Sequence, residues 1–133
     1  DQTQMGALID RALELDEQFD FGAIHGLLIS YEPSRQGVPG DPYERSRKHF
    51  ERVVSLTNGQ LASPYVSLAE AVSVNTQNRE EFEALLKKAI AINPDTRPEW
   101  RLSTLIMQRR ARWLLGRTDD LFLDAPKSPA GGR

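Results

Sequence analysis

The sequence predicts an all-α fold, built from antiparallel helical hairpins that stack as degenerate tetratricopeptide-like repeats. Apolar residues recur every three or four positions along most of the chain, which is the period of an amphipathic helix. Proline, glycine and asparagine separate these stretches. A similar helix ending occurs at 12–16, 53–57 and 89–93, and such recurrence is typical of tetratricopeptide arrays, whose period is about 34 residues.

Composition places the chain among globular domains. Of its 133 residues, 39% are hydrophobic and 27% are charged, which excludes an intrinsically disordered chain. A net charge of −2 creates no field that attracts nucleic acid, so nucleic acid is not expected as a partner. The absence of cysteine removes disulfides and thiolate nucleophiles. We expect one helical-repeat domain over residues 1–124 and a disordered tail over 125–133.

Two helices are predicted in the first part of the chain. Apolar residues at a spacing of three to four give a first helix that ends near Asp16. The stretch 21–31 is apolar on nearly every side, so a helix there should be buried by its neighbours. His25 is the one ionisable group inside it, either as a hydrogen-bonded core histidine or as a ligand contact. Gly22 and Gly26 would permit the close approach of another helix.

A loop is predicted at 32–40, which holds two prolines and two glycines. Three signals then start a helix, because Asp41 can cap its amino end, Pro42 suits the first turn and Glu44 can complete a capping box. This helix should end before Asn58.

Three further helices follow. The first spans about 60–74, and the second spans about 79–92, where an Asn-Pro pair ends it. The last opens at Asp95 or Thr96 and continues to about Leu115. Residues 118–123 form a short mixed segment after it.

The last helix carries apolar side chains on two opposite sides. One stripe consists of Trp100, Thr104, Met107, Ala111, Leu114 and Leu115. The second stripe consists of Leu102, Leu105, Ile106, Arg109 and Trp113. A helix at the side of a bundle needs only one apolar stripe, so we expect the second to be shielded. The cover is either segment 121–123 folding back, a region outside this chain, or another subunit or ligand.

Arg109 lies near the middle of the second stripe, an expensive place for an unpaired cation. One interpretation is a salt bridge to Asp119 or Asp120, or a head group that reaches water. The other is contact with an anion or carboxylate beside the apolar surface, with Trp113 one turn away as a stacking partner.

No pattern of catalytic or metal-binding residues is found in the sequence. Two histidines, at 25 and 49, are too few for a typical zinc set. Adjacent acidic pairs such as Glu80-Glu81 and Asp119-Asp120 diverge by about 100° on a helix, so they do not converge on a substrate. No glycine-rich phosphate loop follows a strand. We therefore expect a protein that is not an enzyme and that holds neither a metal ion nor a cofactor.

Several stretches are similar to one known family. They are residues 12–16 with the helix of 19–31, Gly40-Asp41-Pro42 leading to 49–52, Phe82-Glu83-Ala84-Leu85-Leu86, the Asn93-Pro94-Asp95 turn, and 109–115 running into Asp119-Asp120-Leu121-Phe122. They resemble the T-component of tripartite ATP-independent periplasmic (TRAP) transporters, the TatT family. Family members are longer at the amino end, so this chain resembles their carboxy-terminal half.

The resemblance implies a helical protein with tetratricopeptide-like repeats that is exported to the periplasm and lipid-anchored in its full-length form. Such proteins associate with a periplasmic substrate-binding protein, and a member of the family forms a homotrimer with hydrophobic clefts. The sequence itself shows no signal peptide, no lipidated cysteine and no apolar run near the ~20 residues that span a bilayer, so a soluble, mature or trimmed chain is expected.

We therefore expect a non-catalytic helical-repeat scaffold of a TRAP-type solute uptake system. It would bind a substrate-binding protein, and a hydrophobic carboxylated small molecule, through an apolar groove or helix face. The residues expected at this site are His25, Ile29, Tyr31, Tyr65, Arg109 and Trp113. Two alternatives stay open: a general peptide-binding adaptor, and a structural module that joins identical subunits.

Overall fold

Helices make up most of the computed structural model, which describes residues 2–16 and 19–123. The α-helices are α1 (Gln2–Leu15), α2 (Ala23–Tyr31), α3 (Pro42–Thr57), α4 (Ser63–Leu68), α5 (Arg79–Ala91), α6 (Arg101–Gly116) and α7 (Thr118–Leu121). Within these ranges there is no β-strand. The predicted all-α fold is confirmed.

Neighbouring helices in the chain are also neighbours in space. The most extensive contacts join α2 to α3 and α5 to α6, and α4 packs against α3 and α5. Short connections between packed helices make these pairs antiparallel hairpins, as the sequence predicts. Two assignments stay predictions: that the hairpins belong to the tetratricopeptide class, and that 1–124 form one domain. The predicted tail at 125–133 lies outside the described residues.

The core is formed by apolar side chains from α2 to α6 and from the segment after α6. Its largest fully buried members are Phe82, Leu28, Ile29, Leu86, Val53, Val66 and Val72. Two aromatic pairs reinforce it, because Phe50 meets Tyr65 edge to face at 5.5 Å and Phe82 meets Phe122 at 5.0 Å. The second pair attaches the chain that follows α6 to the core beside the amino end of α5.

The limits of α3 follow the predicted signals. The Asp41 carboxylate accepts a hydrogen bond from the backbone N–H of Tyr43 at 2.9 Å, and Pro42 occupies the first turn. At the other end Asn58 adopts a left-handed conformation with φ of 53°. The predicted start and stop are confirmed, but the predicted capping box is not formed, because the carboxylate of Glu44 lies near Arg47 and makes no hydrogen bond to Asp41 in the described structure.

The helix predicted at about 60–74 differs in the structure. It begins at Ser63, and from Ala69 to Ser73 it widens into a π-helical turn. In that turn Ser73 is fully buried, and its hydroxyl donates to the carboxylate of Glu81 at 2.7 Å. Arg47 of α3 pairs with the same carboxylate. Burial opposes the ionisation of Glu81, but these hydrogen bonds outweigh it and lower its pKa.

Other predicted boundaries shift by a few residues. The predicted loop at 32–40 begins with a 3₁₀ turn, Glu32–Ser34, and the last helix begins at Arg101 after a second such turn, Pro98–Trp100. Gly22 does permit close approach, since a Cβ there would lie 2.8 Å from Leu56. A Cβ on Gly26 would meet no atom within 4 Å, so that glycine faces open space instead.

A buried glutamine joins α6 to α5. The side-chain amide of Gln108 donates to the backbone carbonyls of Ala89, Ile90 and Ile92 at 3.1, 3.0 and 2.7 Å. These carbonyls belong to the end of α5, where Ala89 also accepts from the backbone N–H of Ile92 at 3.4 Å but the helix provides no donor for Ile90 and Ile92. Gln108 is only 4% exposed, so it caps α5 from within the core. The sequence analysis did not identify this contact.

None of the helices in the described part of the chain is both long and apolar enough to cross a bilayer.

Gln108→Ala should lower the free energy of unfolding by about 2–4 kcal/mol, because it leaves the carbonyls of Ile90 and Ile92 without a donor and removes a buried side chain. Urea denaturation followed by circular dichroism measures this change. Arg112→Ala, an exposed position on the same helix, is the control and should stay within about 0.5 kcal/mol of the original protein. Equal stability of the two variants would contradict the capping role.

Candidate functional site

The inner stripe of α6 packs against the bundle. Thr104, Ala111 and Leu114 are 4% exposed or less, and Met107 and Leu115 pack against the core at its margin. This is the face that α6 turns toward α5 and α4. One of the two predicted apolar stripes therefore has its expected role.

The second stripe is exposed. Leu102 is 72% exposed, Ile106 51% and Trp113 56%, and Leu105 is exposed to a smaller degree. These side chains recur at helical spacing on one side of α6, so they form a continuous apolar surface. We call this surface, with Arg109, the outer face of α6. No described residue shields it from water.

The segment after α6 does not cover the outer face. Phe122 is 3% exposed because it packs on Phe82 of α5, and the backbone N–H of Leu123 donates to the side chain of Gln77 at 2.8 Å. Leu123 itself is 90% exposed. The segment is thus held at the amino end of α5, and the possibility that it folds back over the second stripe is excluded.

Arg109 does not form the predicted salt bridge. Asp119 pairs with Arg79, and Asp120 pairs with Arg117 at 3.1 Å. Arg109 is exposed and makes no ion pair with any other described residue. It lines a shallow depression of about 370 Å³ together with Ile106, Arg110 and Trp113. Its head group therefore reaches water, which was the alternative to a salt bridge in the sequence analysis.

Trp113 lies among guanidinium groups. Arg110 and Arg117 approach its ring to 5.8 and 5.4 Å from the centroid. Helix α6 has four arginines and no acidic residue, and its acidic partners, such as Glu70 for Arg110, come from other elements. The outer face therefore combines exposed apolar side chains with arginines, Arg109 within it and Arg110 and Arg117 beside Trp113.

The predicted site residue His25 belongs to a buried polar network. It is 6% exposed, and its Nδ1 lies 2.7 Å from Nδ1 of His49. The Nε2 of His49 lies 3.3 Å from the carboxylate of Glu32. Because an ionised carboxylate only accepts, His49 carries its proton on Nε2, and in the neutral pair His25 donates to His49. The interpretation of His25 as a hydrogen-bonded core histidine is confirmed.

Glu32 holds this network together. It is 2% exposed, and its carboxylate accepts from Arg45 at 2.8 Å and from Arg35 at 3.2 Å. Arg35 also pairs with Asp10 of α1, and this contact raises the pKa of the arginine. The network thus joins α1, α2 and α3 through charged side chains, and the sequence analysis, which placed Glu32 in a loop, missed it.

The other predicted site residues are dispersed. Ile29 has no exposed surface, because it lies in the core beneath α3. Tyr31 is partly exposed and lies next to the guanidinium of Arg35. Tyr65 is 7% exposed, and burial raises its pKa. The structure brings Arg109 and Trp113 together on α6 but does not unite all six residues in one groove.

A more enclosed cavity lies between α2, α4 and the turn before α6. Its volume is about 380 Å³, and it is lined mainly by apolar or small residues. They include Phe21, Gly26, Leu27, Leu61, Pro64 and Trp100. We call it the Trp100 cavity. The rings of Phe21 and Trp100 meet edge to face at 5.2 Å at its margin.

Arg97 covers the two rings beside the Trp100 cavity. Its guanidinium lies 4.0 Å from the ring centroid of Trp100 and 5.2 Å from that of Phe21, and it is paired with Glu99 at 2.7 Å. A cation over two aromatic faces is stabilised there by the ring electrons. None of these residues was a predicted site residue, because their proximity depends on how distant segments meet. Sequence periodicity carries no signal for it.

Comparison with known proteins adds a family relationship. A family model described as TRAP transporter T-component matches residues 1–122. The chain is also 27% identical, over 117 residues, to an uncharacterized protein of Treponema pallidum (strain Nichols). That match covers 88% of this chain and 36% of the relative, so the chain spans little more than a third of the relative's length.

The free energy of unfolding should fall when the pH is lowered from about 7.5 to about 5.5. Burial, and next the charge of His25, lower the pKa of His49, although its hydrogen bond to Glu32 acts in the opposite direction. As the pH falls, His49 in the unfolded chain therefore takes up a proton near pH 6.5, before His49 in the folded chain does. Acidification thus favours the unfolded state, and the stability that neutral His49 provides at higher pH is lost. Urea denaturation of the original protein and of His49→Gln tests this, since the variant should depend less on pH. Equal pH dependence would contradict it.

Proposed function

This chain belongs to the TRAP transporter T-component family, and we propose that it is a non-catalytic scaffold of a periplasmic solute uptake system that binds the substrate-binding protein. The single observation that supports this role is the outer face of α6. Three of its apolar side chains are more than half exposed, although the opposite stripe of the same helix is buried. Exposed apolar patches of this kind mark surfaces that are covered in an assembly.

The composition of the outer face favours a protein partner. Tryptophan and arginine are the residue types that contribute most to protein interfaces, and here Trp113 and Arg109 line one depression. Neither Arg109 nor Arg112 has an acidic partner among the described residues. An acidic rim around an apolar centre on the substrate-binding protein would complement this face.

The same charges limit self-association. The whole chain carries −2 and α6 carries +4, so the remainder carries −6. A symmetric dimer through α6 would place like charges opposite each other, which is unfavourable. A homotrimer, as the family resemblance implies, would instead join the outer face of one copy to a different and more acidic surface of the next.

We further propose that the Trp100 cavity holds a hydrophobic carboxylated small molecule. Its volume of about 380 Å³ lies near the lower end of the range for ligand pockets, roughly 300–1,000 Å³. The lining offers apolar contacts for the body of the solute, and it also contains Asp20, which would repel a carboxylate. The carboxylate would therefore lie away from Asp20 and replace Glu99 as the partner of Arg97, whose guanidinium lies over Trp100 beside the cavity. A peptide-binding adaptor, by contrast, would need no enclosed cavity of this kind.

Ile106→Ser and Trp113→Ala should each weaken binding to the substrate-binding protein of the same transporter by at least about tenfold, because each removes a side chain from the centre of the proposed interface. Isothermal titration calorimetry measures the affinity. Leu8→Ser is the control, since Leu8 is as exposed as Leu102 but lies on α1. Unchanged affinity of both α6 variants would refute docking through the outer face.

Gly26→Leu should abolish binding of a hydrophobic solute without unfolding the protein. A Cβ at this position would meet no atom within 4 Å, and Gly26 lines the Trp100 cavity, so we expect the longer leucine side chain to occupy part of that cavity. Gly26→Ala is the matched control, because it changes helix propensity but fills little space. Mass spectrometry of small molecules released by denaturation should detect solute from the original protein and from Gly26→Ala only. Equal release from Gly26→Leu would place the solute elsewhere.

A further inference from the structure

A second cavity lies where the end of α5 meets the chain before α4. Its volume is about 390 Å³. The lining residues that matter here are Gly59, Gln60, Tyr65, Lys88, Ile92 and Thr96. It shares no lining residue with the outer face of α6 or with the Trp100 cavity. We call it the Tyr65 cavity.

The hydroxyl of Tyr65 lacks a hydrogen-bond partner among the described residues. Tyr65 is 93% buried, and its ring is held edge to face against Phe50, so the hydroxyl has a fixed position. It points to Gly59, where a Cβ would lie 3.2 Å from the phenolic oxygen. The phenolic oxygen is not among the buried unpaired atoms of the described residues, so it reaches the cavity, where a ligand can accept its hydrogen bond in place of water.

Other donors surround the same space. Lys88 makes no ion pair with any described residue, and the side chains of Gln60 and Thr96 make no hydrogen bond within this part of the structure. One cation and three neutral donors therefore border the cavity. No acidic side chain belongs to its lining.

The end of α5 next to the cavity would ordinarily repel an anion, because helix carboxyl ends carry partial negative charge. Here the amide of Gln108 donates to the carbonyls of Ala89, Ile90 and Ile92. Lys88 in the last turn offsets the remaining charge. The local field thus permits a single negative charge at this position.

We propose that the Tyr65 cavity binds a small monocarboxylate. The Lys88 ammonium balances its charge, the Tyr65 hydroxyl donates to one carboxylate oxygen, and the aliphatic part lies against Ile92. A single cation matches one negative charge, so a dianionic phosphate would leave a charge unbalanced in a half-buried site. This assignment does not depend on the outer face of α6 or on the Trp100 cavity.

Nuclear magnetic resonance titration with sodium butyrate tests the proposal on the full chain. Saturable shifts are expected for the backbone amides of Gly59, Gln60 and Thr96. Lys88→Gln should weaken butyrate binding by about tenfold or more, because it removes the charged donor. Tyr65→Phe retains the ring that packs on Phe50 and should weaken binding severalfold. Lys87→Gln removes an adjacent exposed lysine outside the lining and should bind as the original protein does.

Three results would overturn the proposal. The first is the absence of saturable shifts up to tens of millimolar butyrate. The second is equal weakening by Lys87→Gln and Lys88→Gln, which would show general charge attraction only. The third is equal or tighter binding of neutral butyramide, or of inorganic phosphate at a pH high enough to make it dianionic, since neither matches a site for one carboxylate.

Discussion

The attachment of α6 to α5 is the constraint on which the outer surface of the protein depends. Apolar side chains such as Leu114 seat one side of α6 in the core, and Gln108 ties it to the last carbonyls of α5. Hydrophobic burial alone would allow α6 to rotate or slide, whereas hydrogen bonds to fixed carbonyls have strict geometry. Once this seat is fixed, Ile106 and Trp113 must project outward. The apolar outer face therefore follows from how the inner face is held.

In the described part of the chain, charged side chains form buried ion pairs near α1 but are exposed and unpaired at two positions of α6. Near α1, Glu32 is buried and paired with Arg35 and Arg45, and these ion pairs help to join three helices. Along α6, Arg109 and Arg112 remain in water without acidic partners among the described residues. Surface arginines contribute little to stability, and their charge stays available to a partner. The amino-terminal half thus uses charge for architecture, and α6 presents it to the outside.

The sequence predicts those features that depend on local signals. Asp41 and Asn58 mark the ends of α3 because caps act on adjacent backbone groups, and helical periodicity reveals both stripes of α6. It does not reveal contacts between distant segments, so the network around Glu32 and the cavity beside Trp100 were missed. For the same reason, the predicted groove combined Ile29, a core residue, with exposed residues of α6. Periodicity tells which side of a helix is apolar but not which neighbour covers it.

The π-helical turn at Ala69–Ser73 has a consequence for sequence length. Such a turn contains one residue more than an α-helical turn, and each residue of an α-helix adds a rotation of about 100°. Removal of a single residue from this turn would restore regular geometry but would swing Asn78, which caps α5, away from its present direction. The number of residues in this segment therefore determines the direction in which α5 leaves α4. Relatives that lack the extra residue must compensate in the connection that follows.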